Sequence, residues 1–317
     1  PPARPTVNTL TTGSQTPTIS GTATLAAGET LSVTLNGATY LAGDGYLTYS
    51  GSSRNWSLTI PSINALSEGA YEVTATARDT AGNTTSDNST YELTIDTTPP
   101  ARPTVNTLTT GSTTPAISGT ATLAAGETLS VTVDGKTYSA GDGHLAYNSS
   151  SGNWTLTIPS GNALAEGTYE VTATARDAAG NATSDNSIHE LTIDTTPPAR
   201  PTVNTLTTNS TTPAISGTAT LGTSETLSVT VNGATYNSVT VDENHHWSID
   251  TASATPGSGA LGSFTNGSYE VTATARDAAG NSTSDSSTYE LTIDTTPPAR
   301  PTVNTLTTGS QTPTISG

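Results

Sequence analysis

Glu68-Gly69-Ala70-Tyr71-Glu72-Val73-Thr74-Ala75-Thr76-Ala77-Arg78-Asp79-Thr80-Ala81-Gly82-Asn83 is the stretch from which the fold of this chain is read. Tyr71, Val73, Ala75 and Ala77 share one face, while Glu72, Thr74, Thr76 and Arg78 share the other. That is the period of two of a half-buried strand. Asp79 to Asn83 then supplies the glycine, aspartate and asparagine of a turn. Moving outward, Leu31, Val33 and Leu35 alternate with Thr30, Ser32 and Thr34 and run into Asn36-Gly37, a tight-hairpin signal. Trp56, Leu58 and Ile60 alternate with Ser57 and Thr59, and an opening strand around Val7 to Leu10 precedes a stronger one from Thr18 to Leu25. In the last strand Tyr91, Leu93 and Ile95 are expected to face inward and Glu92, Thr94 and Asp96 outward. No stretch of useful length carries a helical period.

The whole pattern repeats. Pro1-Pro2-Ala3-Arg4-Pro5-Thr6-Val7-Asn8 returns at Pro99 and Pro197, each 98 residues on, and at Pro297 after 100. This divides the chain into units 1–98, 99–196 and 197–296 and a stub, 297–317, identical to residues 1–21. The stub is expected to be frayed unless a neighbour holds it, and the chain reads as a piece of a longer array. About seven short strands in about 98 residues is the size of an immunoglobulin-like sandwich. The expected fold is therefore all-β, tandem immunoglobulin-like β-sandwiches forming an extended rod. Tyr71, Tyr169 and Tyr269 fit a tyrosine corner at the start of the sixth strand. Val73 stands where an inter-sheet cysteine would lie, and Trp56 falls on the fifth strand counted rather than the third, so antibody-type details do not transfer. The third unit differs in one window, shorter between Tyr236 and Trp247 and longer between Trp247 and Tyr269, a change expected in surface hairpins.

Composition narrows the function. The 317 residues carry 26 acidic against 9 basic side chains, a formal charge of -17. Hydrophobic residues are 32%, and the 29 glycines bring the share only to about 41%, below the roughly 45–50% of ordinary globular domains. Thin cores and surplus negative charge both favour stabilisation by a bound divalent cation. Nucleic acid is disfavoured, because the few dispersed Lys and Arg build no basic patch. No apolar run is long enough for a membrane span, and no signal-peptide pattern opens the chain. The absence of cysteine excludes disulfide staples and fits either a cytosolic protein or a calcium-stabilised bacterial surface protein. Catalysis has little footing: His144 and His189 replace Tyr46 and Tyr91, and His245-His246 near Asp242, Glu243 and Asp250 reads as a solvated hairpin tip.

The recurring carboxylates are the candidate site. In an immunoglobulin sandwich the second and sixth loops lie at the pole where the chain enters, and the last strand ends at the other. Asp96 is thus expected to face Glu127, Asp177, Asn181 and Asp185 of the next unit, and Asp194 to face Glu225, Asp277, Asn281 and Asp285. Glu29, Asp79, Asn83 and Asp87 would serve a joint with a preceding unit, and Asp294 one with a following unit. An all-oxygen set of this kind suits Ca2+. The alternative is local: Asp79 and Asn83 making turns, Asp96 bonding the Thr97 or Thr98 backbone. Pro99 and Pro100 stiffen the connection with or without metal.

Asp-x-Ala-Gly-Asn followed by Ile-Asp-Thr-Thr-Pro-Pro resembles the bacterial immunoglobulin-like repeats of very large secreted or surface-anchored Gram-negative adhesins, over the whole chain. The resemblance implies a non-enzymatic, monomeric extender at the bacterial cell surface, associated with the outer membrane and serving adhesion or biofilm formation. Its partners would be neighbouring repeats and a distal ligand-binding region elsewhere in the full protein, with calcium at joints formed by Asp79, Asp87, Asp96 and their counterparts. The competing expectation is that the repeats themselves bind glycans or host proteins; an accessory region of a secreted enzyme is the third.

Overall fold

The alternating stretches become strands because each offers one apolar face and a backbone that needs partners. The computed structural model describes residues 1–317 and contains β-strands with two single-turn 3-10 helices, Ser62–Asn64 and Ser160–Asn162. In the first copy the strands are β1 (Thr6–Val7), β2 (Leu10–Thr12), β3 (Thr18–Thr22), β4 (Thr30–Leu35), β5 (Ala38–Leu41), β6 (Leu47–Ser50), β7 (Asn55–Thr59), β8 (Gly69–Tyr71), β9 (Val73–Arg78), β10 (Thr84–Ser86) and β11 (Leu93–Ile95). One sheet runs β1-β3-β7-β6; the facing layer is β10-β9-β4-β5 continued by β2-β11-β8, in which β2 and β11 are parallel. The second copy repeats these orders. The chain belongs to the all-β class as tandem immunoglobulin-like domains. The segments outnumber the strands counted from sequence because three strands are interrupted, at Asn8-Thr9, at Glu72 and between Ser86 and Leu93.

Chain contacts divide the molecule into two units, Pro1–Leu108 with Thr114–Thr192, and Thr109–Thr113 with Ile193–Gly317. In the first unit, the core of the first copy joins Ile19, Trp56 and Leu58 from one sheet to Leu31, Val33, Val73, Ala75, Leu93 and Ile95 from the other. Trp56 is buried, its indole N–H donates to the Thr6 carbonyl at 3.1 Å, and its ring lies on Gly21, where a Cβ would come within 2.6 Å of the ring and 2.0 Å of the Thr6 oxygen. One bare glycine therefore lets the tryptophan pin β1 against β3. Removing such a ring costs roughly 3–5 kcal/mol. The hairpin between β4 and β5 turns through Asn36 and Gly37, both with positive φ, as their sequence requires. Tyr71, Tyr169 and Tyr269 form their corners, each hydroxyl donating at 2.9, 3.0 and 3.0 Å to the carbonyl four residues upstream, at Ser67, Ala165 and Thr265.

The last strand corrects the sequence expectation. Tyr91 is 68% exposed and Glu92 only 2%, the reverse of the expected alternation. Tyr91 takes a left-handed φ of 56°, as do His189 and Tyr289 at 60° and 58°. A single left-handed residue breaks the strand and reverses which side chains face the core. Alternation resumes with buried Leu93 and Ile95.

In the second unit, the window peculiar to the third copy changes an edge. Ser258–Gly259 adds to Ala234–Tyr236, giving the sheet order Ser258–Gly259, Ala234–Tyr236, Thr226–Val231, Val271–Arg276, Ser282–Ser284. Val241 meets Trp247 by an isolated bridge in place of a β6 equivalent, and Phe264 joins this copy's core. Residues 301–317 form no strand and are exposed, though the Asn304 N–H donates to the Ser316 carbonyl at 3.0 Å as Asn8 does to Ser20 at 2.9 Å.

Candidate functional site

The loop after β9 is built by an aspartate that binds its own asparagine. In the first copy the Asn83 backbone N–H reaches Asp79 Oδ1 at 2.8 Å and the Asn83 amide reaches Oδ2 at 2.9 Å; the Gly82 N–H donates to the Asp79 carbonyl at 3.1 Å. Asp177 with Asn181 and Asp277 with Asn281 repeat the pair at 2.8 Å for both bonds. The Asn83 side chain is the largest influence holding the Asp79 carboxyl below its ordinary range. For Asp177 burial is the largest influence and pushes upward, yet the Asn181 donors and neighbouring backbone N–H groups outweigh it and the net shift is downward.

This loop is also where successive copies meet. Within the first unit, the Asn181 amide donates to the Asp96 backbone carbonyl at 2.7 Å, and the Gly13 N–H donates to the Ala179 carbonyl at 2.9 Å. Gly13 has no substitute here: a Cβ would stand 2.4 Å from Asn181 Oδ1 and 3.4 Å from the Asp96 carbonyl oxygen. Arg102 Nη1 bonds the Ser184 carbonyl. Within the second unit the same contacts recur, with Asn281 to the Asp194 carbonyl at 2.6 Å, Gly111 to the Ala279 carbonyl at 2.9 Å, and Arg200 Nη1 to the Ser284 carbonyl.

The other expected ligands are spread among local partners. The Asp96 side chain accepts from the Thr98 N–H at 3.1 Å, and Asp194 and Asp294 accept from Thr196 and Thr296 at 3.0 and 2.9 Å. Glu29, Glu127 and Glu225 each close their own loop by accepting from the N–H of Ala26, Ala124 and Gly222 at 2.8 Å. Asp87, Asp185 and Asp285 each accept from the N–H of an inward alanine, Ala75, Ala173 and Ala273, at 2.8 Å, and from a serine hydroxyl, Ser89, Ser187 and Ser287, at 3.0, 2.8 and 2.9 Å. The joint thus brings together the Asp96 carbonyl, Asp177 and Asn181. The Glu127 and Asp185 carboxylates bond within their own copy. The His246 ring lies 4.0 Å from Asp242 with both side chains more than half exposed, as a hairpin tip would have it.

A second acidic group went unread in the sequence. Glu72, Asp87 and Glu92 bring one carboxylate oxygen each to within 4.8 Å of one another, and the cluster could hold a metal ion. Glu72 sits at the interruption between β8 and β9, where its Oε2 accepts from the Tyr91 N–H at 2.9 Å. Glu92 Oε2 accepts from the Val73 N–H at 3.1 Å, so the two glutamates bridge the two interrupted strands reciprocally. Like charges about 4.8 Å apart repel by roughly 3 kcal/mol at an effective dielectric of about 20, a repulsion that a cation between these oxygens would offset. The only sequence sign was glutamate at an alternating position next to tyrosine, and it pointed outward.

Comparison with known proteins bears on the whole chain. A family model described as bacterial Ig-like domain matches residues 7–97, 105–195 and 203–295, and a second, bacterial Ig-like domain (group 3), matches 152–243. No curated protein sequence matches. Among solved structures, a bacterial ice-binding adhesin aligns at 23% identity over 93% of this chain and 100% of that one, with a TM-score of 0.33. A tetra-tandem repeat from the extending region of a large adhesion protein aligns at 26% identity over 92% and 74%, with a TM-score of 0.26, and an I-band fragment of titin at 14% over 92% and 98%, with a TM-score of 0.38.

Proposed function

Since this chain belongs to the bacterial Ig-like domain family, we propose that it is a structural spacer in a bacterial cell-surface adhesin, stiffened by calcium where successive copies meet. Repeats of this family are structural and adhesion modules, not enzymes. The spacer would form an extended rod and hold a distal ligand-binding region of the full protein away from the cell.

The observation that carries this reading is the twice-built joint, in which Asn181 or Asn281 reaches across to the carbonyl of Asp96 or Asp194. The donor set fits a hard cation. A carboxylate, a side-chain amide and a main-chain carbonyl lie together, with the amide N–H2 between the two oxygens where an ion would sit; turning the amide over would present its oxygen there instead. Calcium there would be held by Asp177 or Asp277, Asn181 or Asn281 and the Asp96 or Asp194 carbonyl, with the neighbouring carboxylates supplying charge, and would resist bending at the joint.

The test is small-angle scattering of the chain in millimolar calcium and then in excess chelator, with thermal melting alongside. Lengthening and a higher melting temperature in calcium are expected. No change in either overturns calcium as the brace. A second reading, in which the repeats contact a partner themselves, draws on the exposed Tyr91 and Tyr289 at equivalent positions. Binding of a glycan array by the chain, lost on Tyr91→Ala with Tyr289→Ala, would favour it.

A further inference from the structure

We infer that each copy carries a divalent-cation site inside its own sandwich, apart from the joints, held in the first copy by Glu72, Asp87 and Glu92. Three carboxylates at one place do not make a site. The decisive observation is an atom: Glu92 is 2% exposed, its Oε2 is engaged by Val73, and its Oε1 is buried without any hydrogen-bond partner. A buried polar oxygen left without a donor is costly and uncommon in folded proteins. Here the same oxygen is orphaned in every copy, at Glu92, Glu190 and Glu290, each glutamate being 2% exposed.

The surroundings suit a cation. The three oxygens of the first copy lie within 4.8 Å of one another, a spread that one ion spans with ligands at about 2.3–2.6 Å. All three ligands are carboxylates, the choice of a hard ion such as calcium rather than a soft one. Burial is graded, with Glu92 buried, Asp87 half-buried and Glu72 exposed, so an ion can enter from solvent and keep water on that side. The backbone donors that hold the carboxylates recur throughout. Glu190 accepts from Val171, Glu170 from His189 and Asp185 from Ala173; Glu290 accepts from Val271, Glu270 from Tyr289 and Asp285 from Ala273. The local consequence is clear. The ion would tie together the two interrupted strands at the point where Tyr91 turns outward.

The experiment counts calcium bound to the full chain by equilibrium dialysis at neutral pH. Three proteins are compared: the parent, a variant with Glu92→Gln, Glu190→Gln and Glu290→Gln, and a variant with Asp177→Asn and Asp277→Asn at the joints. Glutamine keeps an oxygen for the Val73 N–H and brings an N–H2 toward Asp87, so the sandwiches stay folded, which the melting curve verifies. The glutamine variant is expected to bind up to three fewer ions than the parent, one per copy, while the joint variant retains them. Milder substitution at the exposed end, Glu72→Gln with Glu170→Gln and Glu270→Gln, should weaken the same ions about tenfold or more without touching the buried glutamates. A count that falls only in the joint variant leaves the joint reading standing and overturns this one. An unchanged count in both glutamine variants likewise overturns it.

Discussion

The joint loop and the strand interruption are both acidic, and they resolve their charge in opposite ways. At the joint, Asp177 finds two donors in one asparagine, and that asparagine spends its remaining reach on the neighbouring copy. At the interruption, Glu92 finds one donor and leaves an oxygen in the core with none. Counting carboxylates would rank the two alike. Counting donors shows that the first can stand without an ion, which would add stiffness, whereas the second is incomplete.

The contrast can be broken most forcefully at the interruption. Glu92→Ala leaves the buried Val73 N–H without an acceptor and opens a cavity, and should cost about 2–4 kcal/mol, read from denaturant unfolding. Glu92→Gln in chelator should cost far less, because the acceptor remains. Equal losses would show that the charge, and not the hydrogen bond, holds the strands.

At the joint, Asn181→Ala removes both the bridge to the Asp96 carbonyl and the amide bond to Asp177, for about 1–2 kcal/mol. Each sandwich should stay folded while scattering in chelator reports greater freedom between the first two copies. A parent-like profile would place the stiffness in the prolines instead. Gly13→Ala should act similarly through the close contact with Asn181 rather than through a lost bond.

Acid tests the joint loop through Asp177. The Asp177 carboxyl is held below its ordinary value of 3.8, so its stabilisation is fully present above that pH and disappears as pH falls through the lowered value. Asp177→Asn should therefore lower the melting temperature near neutrality, and the difference from the parent should close as pH falls below about 4, where the parent's own profile drops. A difference at pH 7 equal to that at pH 3 would refute the assignment. The smallest effect is expected for Asp96→Ala in chelator, under about 1 kcal/mol, since Asn181 uses the backbone carbonyl and only the Thr98 turn is lost. In calcium, a larger loosening would assign the Asp96 carboxylate to the ion.

Much of this was legible in the order of residues. Alternation along Tyr71 to Arg78, the Asn36-Gly37 turn and the tyrosine corners are local signals, and each appears where the sequence put it. The reversal at Tyr91 was not, because a left-handed residue costs an ordinary side chain energy that only the surrounding sheet can offset, and tyrosine gives no warning of it. That one dihedral decided whether Glu92 faced water or core, and with it whether the second acidic group existed. The joint was half legible. Aspartate and asparagine at the loop were read as its makers, but Gly13 and the Asp96 carbonyl carry no side-chain signature and emerge only when two copies are placed together.

The pairing of β2 with β11 has a mechanical consequence. These strands lie next to the entry and exit of the copy and run parallel, in register from Leu10 with Leu93 to Thr12 with Ile95. Tension applied to the two ends of a copy slides such strands past each other, so their hydrogen bonds bear the force together rather than opening one after another as in a peeled hairpin. In the first copy a pull on the two ends is thus opposed by shear across three paired residues, Leu10–Thr12 against Leu93–Ile95.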